Sequence, residues 1–294
     1  MEAAAREQLW TARFYVLEQQ LACKRLLLQC TAFSVVHRYP RFSHAMTDPK
    51  QQSASRVRTQ LRRMRQMAEL RAGAHGLDPR HRVLSAWQSE RLSRTHRDFI
   101  ADPRFRPAML FFLEELYGPR DFSRRDQDLE RAMPMMIRAI PAELLDTLGM
   151  ALELHALSFE LDHAMVEALS DDSGVLGDIT EARYATAYRQ LNNRSRREHQ
   201  LELIRELGNQ LDRAVRMPFV YSALKLARRP ARLAGFADLQ AFLEQGFSAF
   251  KHAGGSQAFL DTIIEREYRL LAQLFAGAEG PFELAGPDAS ATFQ

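Results

Sequence analysis

The sequence predicts an all-α fold, a single multi-helix bundle of about ten helices, and three observations lead there. Apolar residues recur at steps of three and four along almost the whole chain, while period-two alternation is nearly absent. Only 14 Gly and 12 Pro punctuate the 294 residues, which favours long helices with short connections over many tight hairpins. A hydrophobic content of 46% beside 26% charged residues gives apolar material for a packed core with a solvated exterior.

Taken in order, a first helix is expected over about residues 5 to 36, with Leu9, Phe14, Leu17, Leu21, Leu28 and Val35 near one face. Pro40 and Thr47-Asp48-Pro49 mark a loop, and a second helix covers about 54 to 72 before Gly73 and Gly76. Asp78-Pro79 places an N-cap before a proline at the first helical position, opening a helix to about Ala101. Pro107 to Tyr117 forms a short helix stopped by Gly118-Pro119. Ser123-Arg124-Arg125-Asp126 fits a capping box, and the helix it opens is expected to kink or break at Pro134. Pro141-Ala142-Glu143 starts a long helix to about Leu169, and the polar run 170–177 follows as a loop. Helices over 180–193, 195–217, 219–229, 236–252 and 256–276 are then separated by Pro218, Pro230, Gly235 and Gly254-Gly255. Residues 1–276 read as one all-α domain, with basic helices over 1–101 and an acidic bundle over 102–276; 277–294 read as a flexible tail.

Net charge is +3 but unevenly spread: residues 50–106 hold 14 basic and 5 acidic side chains, and residues 107–294 hold 20 and 28. This asymmetry fits an anionic partner, or attraction between the two parts of one fold. All but four of the 40 basic residues are Arg, which points first to a GC-rich bacterial genome and weakens arguments from arginine enrichment. Cys23 and Cys30 are seven residues apart on one expected helix, about 10 Å between Cα atoms, too far for a disulfide. They read as reduced thiols. No run reaches the roughly 18 apolar residues of a transmembrane segment, and the N-terminus has no secretory pattern, so a cytoplasmic location is expected.

The densest stretch is 104–136, RFRPAMLFFLEELYGPRDFSRRDQDLERAMPMM. It joins an apolar block, an acidic pair, a helix stop and an arginine/aspartate segment. Upstream, WQSERLSRTHRD over 87–98 sets Trp87, Gln88, Arg91, Thr95, His96 and Asp98 at helical steps, with Arg94 among them. In these two stretches the chain resembles an uncharacterised bacterial family named after the FFLEELY motif, over most of residues 83–275. The resemblance implies no activity, cofactor or catalytic role.

Three groups of residues are candidate sites. Along the helix 143–169 an apolar seam of Leu145, Leu148, Leu152, Phe159, Val166 and Leu169 includes two polar members, His155 and Asp162, with Ser158 between them. Buried, they need partners, either as a polar pocket or as a hydrogen-bond network that fixes helix register. An adjacent stripe carries Glu153, Glu160, His163 and Glu167, and Glu160-x-x-His163 has the spacing of a di-iron ligand pair. Glu114 and Glu115 could supply facing carboxylates, although a solvated face is the default. Arg58, Arg62 and Arg65 share a helix face, and Arg120, Arg124 and Arg125 lie in an alternating-charge segment. Either cluster could hold a phosphate or carboxylate, and the simpler reading is a set of internal ion pairs. In the FFLEELY segment Leu110, Phe111, Leu113, Leu116 and Tyr117 are the expected core.

No glycine-rich phosphate loop, Gly-x-Ser-x-Gly elbow or His-Glu-x-x-His motif is present, so common nucleotide-dependent and hydrolytic chemistries have no support. The expected function is a non-enzymatic binding or scaffolding module without a cofactor, as a homodimer through an apolar helix face or with a protein partner. The alternative of another class is a metal- or haem-dependent oxidoreductase of heme-oxygenase-like or ferritin-like helical type. A binder of RNA or an anionic surface through Arg58, Arg62 and Arg65 comes third, and nucleic acid is the weakest of these partners.

Overall fold

The computed structural model describes residues 48–73, 76–116, 123–217, 219–254 and 257–283. The expected first helix, with Cys23 and Cys30, lies outside them. The fold is all-α.

Helix α1 spans Pro49–Arg71, longer at its start than the periodicity implied. The reason is the cap: Asp48 Oδ1 accepts the Lys50 N–H at 3.0 Å, and Pro49 sits where no N–H is required. After it, Ala72 pairs with Leu77 and Gly73 with Gly76 in a two-rung antiparallel ladder. Asp78 then caps α2, Pro79–Thr95, by accepting the Arg80 N–H at 2.9 Å.

The helix expected to run to Ala101 breaks at His96, whose φ of −116° and ψ of 28° separate α2 from α3, Arg97–Ala101. Helix α4, Arg106–Phe111, passes into a π-helical turn, Phe112–Leu116. The wider turn shifts the phase of the side chains. Met109, Phe111 and Leu113 are buried there, while Leu110 is only half-buried; Tyr117 lies outside the described residues.

Helix α5, Ser123–Ala139, continues through Pro134 rather than ending at it. Helix α6, Ala142–Leu169, is the axis of the fold. Its expected seam residues Leu145, Leu152, Phe159, Val166 and Leu169 are buried, but so are Met150, Leu157, Leu161 and Met165 on its other sides. Helix α1 runs beside it in the same direction: Arg56 reaches Asp146 and Glu153, and Arg63, seven residues on, reaches Glu160. Gly149 permits this approach, since a Cβ there would stand 3.2 Å from Arg56 Cδ.

Thr180 caps α7, Glu181–Gln190, by accepting the Arg183 N–H. Asn192, with φ of 46°, makes the left-handed turn into α8, Arg194–Arg216. Short helices α9, Val220–Leu226, and α10, Arg228–Leu233, lead to α11, Ala237–His252, and α12, Gln257–Ala276. One core cluster gathers Leu84, Met165, Val166, Leu169, Tyr184 and Ile264 from α2, α6, α7 and α12. A second, aromatic cluster joins Phe99, Phe105, Phe111, Phe250 and Phe259.

A cavity with polar residues among six helices

The two clusters meet around a cavity of about 100 Å³, bordered by α2, α4 with its π-helical turn, α6, α7, α8 and α12. Most of its wall is apolar, including Leu201, Ile204, Ile263, Ile264 and Leu271. Into this wall the sequence places Gln88, Arg91, His96, Asp162, Arg197, Gln200 and Glu267. A water needs roughly 10–15 Å³ by such a measure, so the space holds several waters or one small organic molecule.

At one end, Arg91 Nη1 donates to both carboxylate oxygens of Glu267, at 2.6 and 2.8 Å. His96 Nε2 lies 3.1 Å from the same carboxylate, and its side chain is fully buried. The break between α2 and α3 is what turns this ring towards α12. A carboxylate only accepts, so Nε2 carries the ring proton. Burial alone would raise the Glu267 carboxyl, but the Arg91 charge and the hydrogen bonds from His96 and Arg91 outweigh it and hold the group at about 2. Burial likewise opposes the charge on Arg91, and the Glu267 carboxylate more than offsets it, so its pKa is raised.

Across the cavity, Gln88 Nε2 donates to Asp162 Oδ1 at 3.0 Å and to the Tyr184 hydroxyl at 3.4 Å. Trp87 stacks on Tyr184 at 4.3 Å, and Phe282 closes edge-on against both. Gln200 Nε2 donates to Ser158 Oγ at 2.8 Å. Arg197, only 6% exposed, stacks its guanidinium 4.7 Å from the Tyr188 ring and donates at 3.4 Å to the Leu161 carbonyl. Burial pushes the Tyr188 phenol up.

Three cavity-lining residues keep a buried atom without a hydrogen-bond partner: Arg91 Nε, His96 Nδ1 and Arg197 Nε. Among the described residues, no carboxylate is in ion-pair contact with Arg197. A buried guanidinium without an ion-pair partner is costly, and the Tyr188 ring and the Leu161 carbonyl offset part of that cost for Arg197.

The sequence-derived candidates separate on this geometry. Asp162 lines the cavity, Ser158 is tied to Gln200 beside it, and His155 is half-buried on the same helix. Glu153 is held by Arg56 and His199, and Glu160 by Arg63 and Arg196. His163 stands apart from Glu160's partners, with Nδ1 3.3 Å from His81 Nε2. Glu114 is exposed and Glu115 half-buried on the π-helical turn. Among the described residues, no three His, Cys, Asp or Glu side chains are grouped to hold a metal ion. The stripe Glu153, Glu160 and Glu167 is covered instead by arginines, Arg80 reaching Glu167.

Arg58, Arg62 and Arg65 are exposed. Arg65 pairs with Glu130, and Arg62 donates to Thr59 Oγ1 at 3.3 Å. Arg120 lies outside the described residues, as do the side chains of Arg124 and Arg125. Much of the basic segment thus meets the acidic part of the same chain: Arg56, Arg63, Arg65, Arg80, Arg91 and Arg94 all pair with carboxylates beyond residue 107.

Sequence reasoning did not single out Glu267 or Arg197, which lie in the charge-rich stretches EREYRLL and RSRREHQ. The usable signal was the 87–98 stretch, whose Gln88, Arg91 and His96 all border the cavity while Asp98 pairs with Arg266. Among the described residues, no helix is long and apolar enough to cross a membrane. Neither a curated protein nor a solved structure matches the chain. Residues 66–281, which include every polar residue of the cavity, match the model of a domain of unknown function, DUF8198, and the chain belongs to that family.

Proposed function

We propose that the protein is a non-enzymatic binding module whose cavity encloses a small organic anion, an apolar body ending in a carboxylate. The observation that carries this reading is Arg197, a buried guanidinium with an unpartnered Nε and no carboxylate in contact among the described residues. A carboxylate ligand would pair with the Arg197 guanidinium, while the apolar wall would hold its body. Glu267 neutralises Arg91, and Asp162 brings the formal charge of the lining to zero, so a ligand carboxylate would answer the Arg197 guanidinium locally rather than a net positive charge. The resemblance to the FFLEELY-motif bacterial family and a cytoplasmic location belong to the same reading.

Titration of the whole protein with short aliphatic and aromatic carboxylates, followed by thermal unfolding, tests it. At about one hundred times its Kd a ligand adds about 2.7 kcal/mol of stability. One series of carboxylates should raise the unfolding temperature, the matching amides should not, and Arg197→Met should weaken binding tenfold or more, by roughly 1.4 kcal/mol. The reading fails if no carboxylate stabilises the protein, or if amides or the Arg197→Met variant bind equally well.

A further inference from the structure

Residues 213–236, RAVRMPFVYSALKLARRPARLAGF, contain six basic side chains and no acidic one. The same stretch carries the three most exposed large apolar residues among those described: Phe219 at 77%, Leu226 at 67% and Leu233 at 82%. These three are spaced by seven. Helices α9 and α10 are joined through Ala227 in helical conformation. The backbone bonds Ala223 N–H to Phe219, Ala227 to Ala223, Ala231 to Ala227 and Ala234 to Pro230 continue across the join. Along a helix a seven-residue step returns within about 20° of the same side, so Phe219, Leu226 and Leu233 form one exposed stripe. Exposed Lys225, Arg229 and Arg232 line one side of it, and Arg228 is partly neutralised by Glu244.

We propose that this segment seats the protein on the surface of an anionic lipid bilayer, the leucines and phenylalanine entering the headgroup boundary and the cations meeting lipid phosphates and carboxylates. Charge decides between occupants. A second copy would set a stretch with cations and no acids against itself. Nucleic acid would satisfy the cations but leave Leu226 and Leu233 without partners, whereas a bilayer interface accepts both.

The test is cosedimentation of the full chain with phosphatidylcholine vesicles, with and without 30 mol% phosphatidylserine (~30, enough for a surface potential), at low and physiological salt. Binding is expected only to the anionic vesicles and should weaken with salt. The K225Q/R229Q/R232Q variant should lose roughly fivefold per charge removed. L226S/L233S should lose roughly tenfold or more. Circular dichroism checks that both variants keep the wild-type helix content. The proposal is overturned if the wild type ignores anionic vesicles at low salt or if either variant binds as the wild type does. It is also overturned if ultracentrifugation shows that the wild type self-associates and L226S/L233S disperses it.

Discussion

Replacing Glu267 by Gln removes a charge while leaving the shape of the side chain almost unchanged. In the wild type the carboxyl is held at about 2, against an ordinary 4.5, by Arg91 and His96. At about 1.4 kcal/mol per pKa unit this gap corresponds to roughly 3 kcal/mol. The agreement with the cost of breaking a buried ion pair, about 3–5 kcal/mol, comes from the Arg91 charge left unpaired. The sign follows from the depressed value: the stabilisation is fully present above pH 4.5 and is lost as pH falls through about 2. Urea unfolding followed by circular dichroism should therefore show Glu267→Gln about 3 kcal/mol less stable at pH 7. That difference should stay flat down to about pH 5 and shrink below it. The pair Arg91→Met with Glu267→Leu should recover at least half of the loss, because it removes both charges together. A difference under about 1 kcal/mol at pH 7, or one that stays constant to pH 3, would refute the reasoning.

Two further outcomes check the scaffold. Asp78→Ala removes the side-chain acceptor for the Arg80 N–H and the partner of its guanidinium, and should cost about 1 kcal/mol in equilibrium unfolding. Leu161→Ala empties a site with no exposed surface on α6 and should cost about 2–5 kcal/mol, measured in the same way; a loss under about 1 kcal/mol would mean that α6 is not enclosed as described.

Much of the fold was legible because local chemistry sets it. Asp78-Pro79 and Thr180 announce helix starts by hydrogen bonds made within three residues, and both caps form. The seam of α6 was visible at three- and four-residue steps, but its other buried sides were not. A helix surrounded by neighbours carries apolar residues all round, so periodicity understates its burial. The His96 break was missed because the residue has no strong helix-stopping chemistry; the helix ends where its ring meets Glu267. Asp162 and Ser158 were found as polar interruptions of an apolar seam. Glu267 and Arg197 were not, since their partners lie far off in sequence: Arg91 is 176 residues from Glu267. A single sequence shows which residues could pair, and packing decides which do. The same holds for the charge asymmetry, which the structure resolves into ion pairs across α1 and α6.

The central claim is that the cavity beside Arg197 is built for a carboxylate ligand. Its most direct test is the electron density there in crystals grown with the tightest carboxylate of the titration series. The account predicts one continuous feature of covalently spaced atoms, with an oxygen about 2.7–3.2 Å from a nitrogen of the Arg197 guanidinium. Separate peaks spaced like hydrogen-bonded waters, with no carboxylate among them, would contradict it.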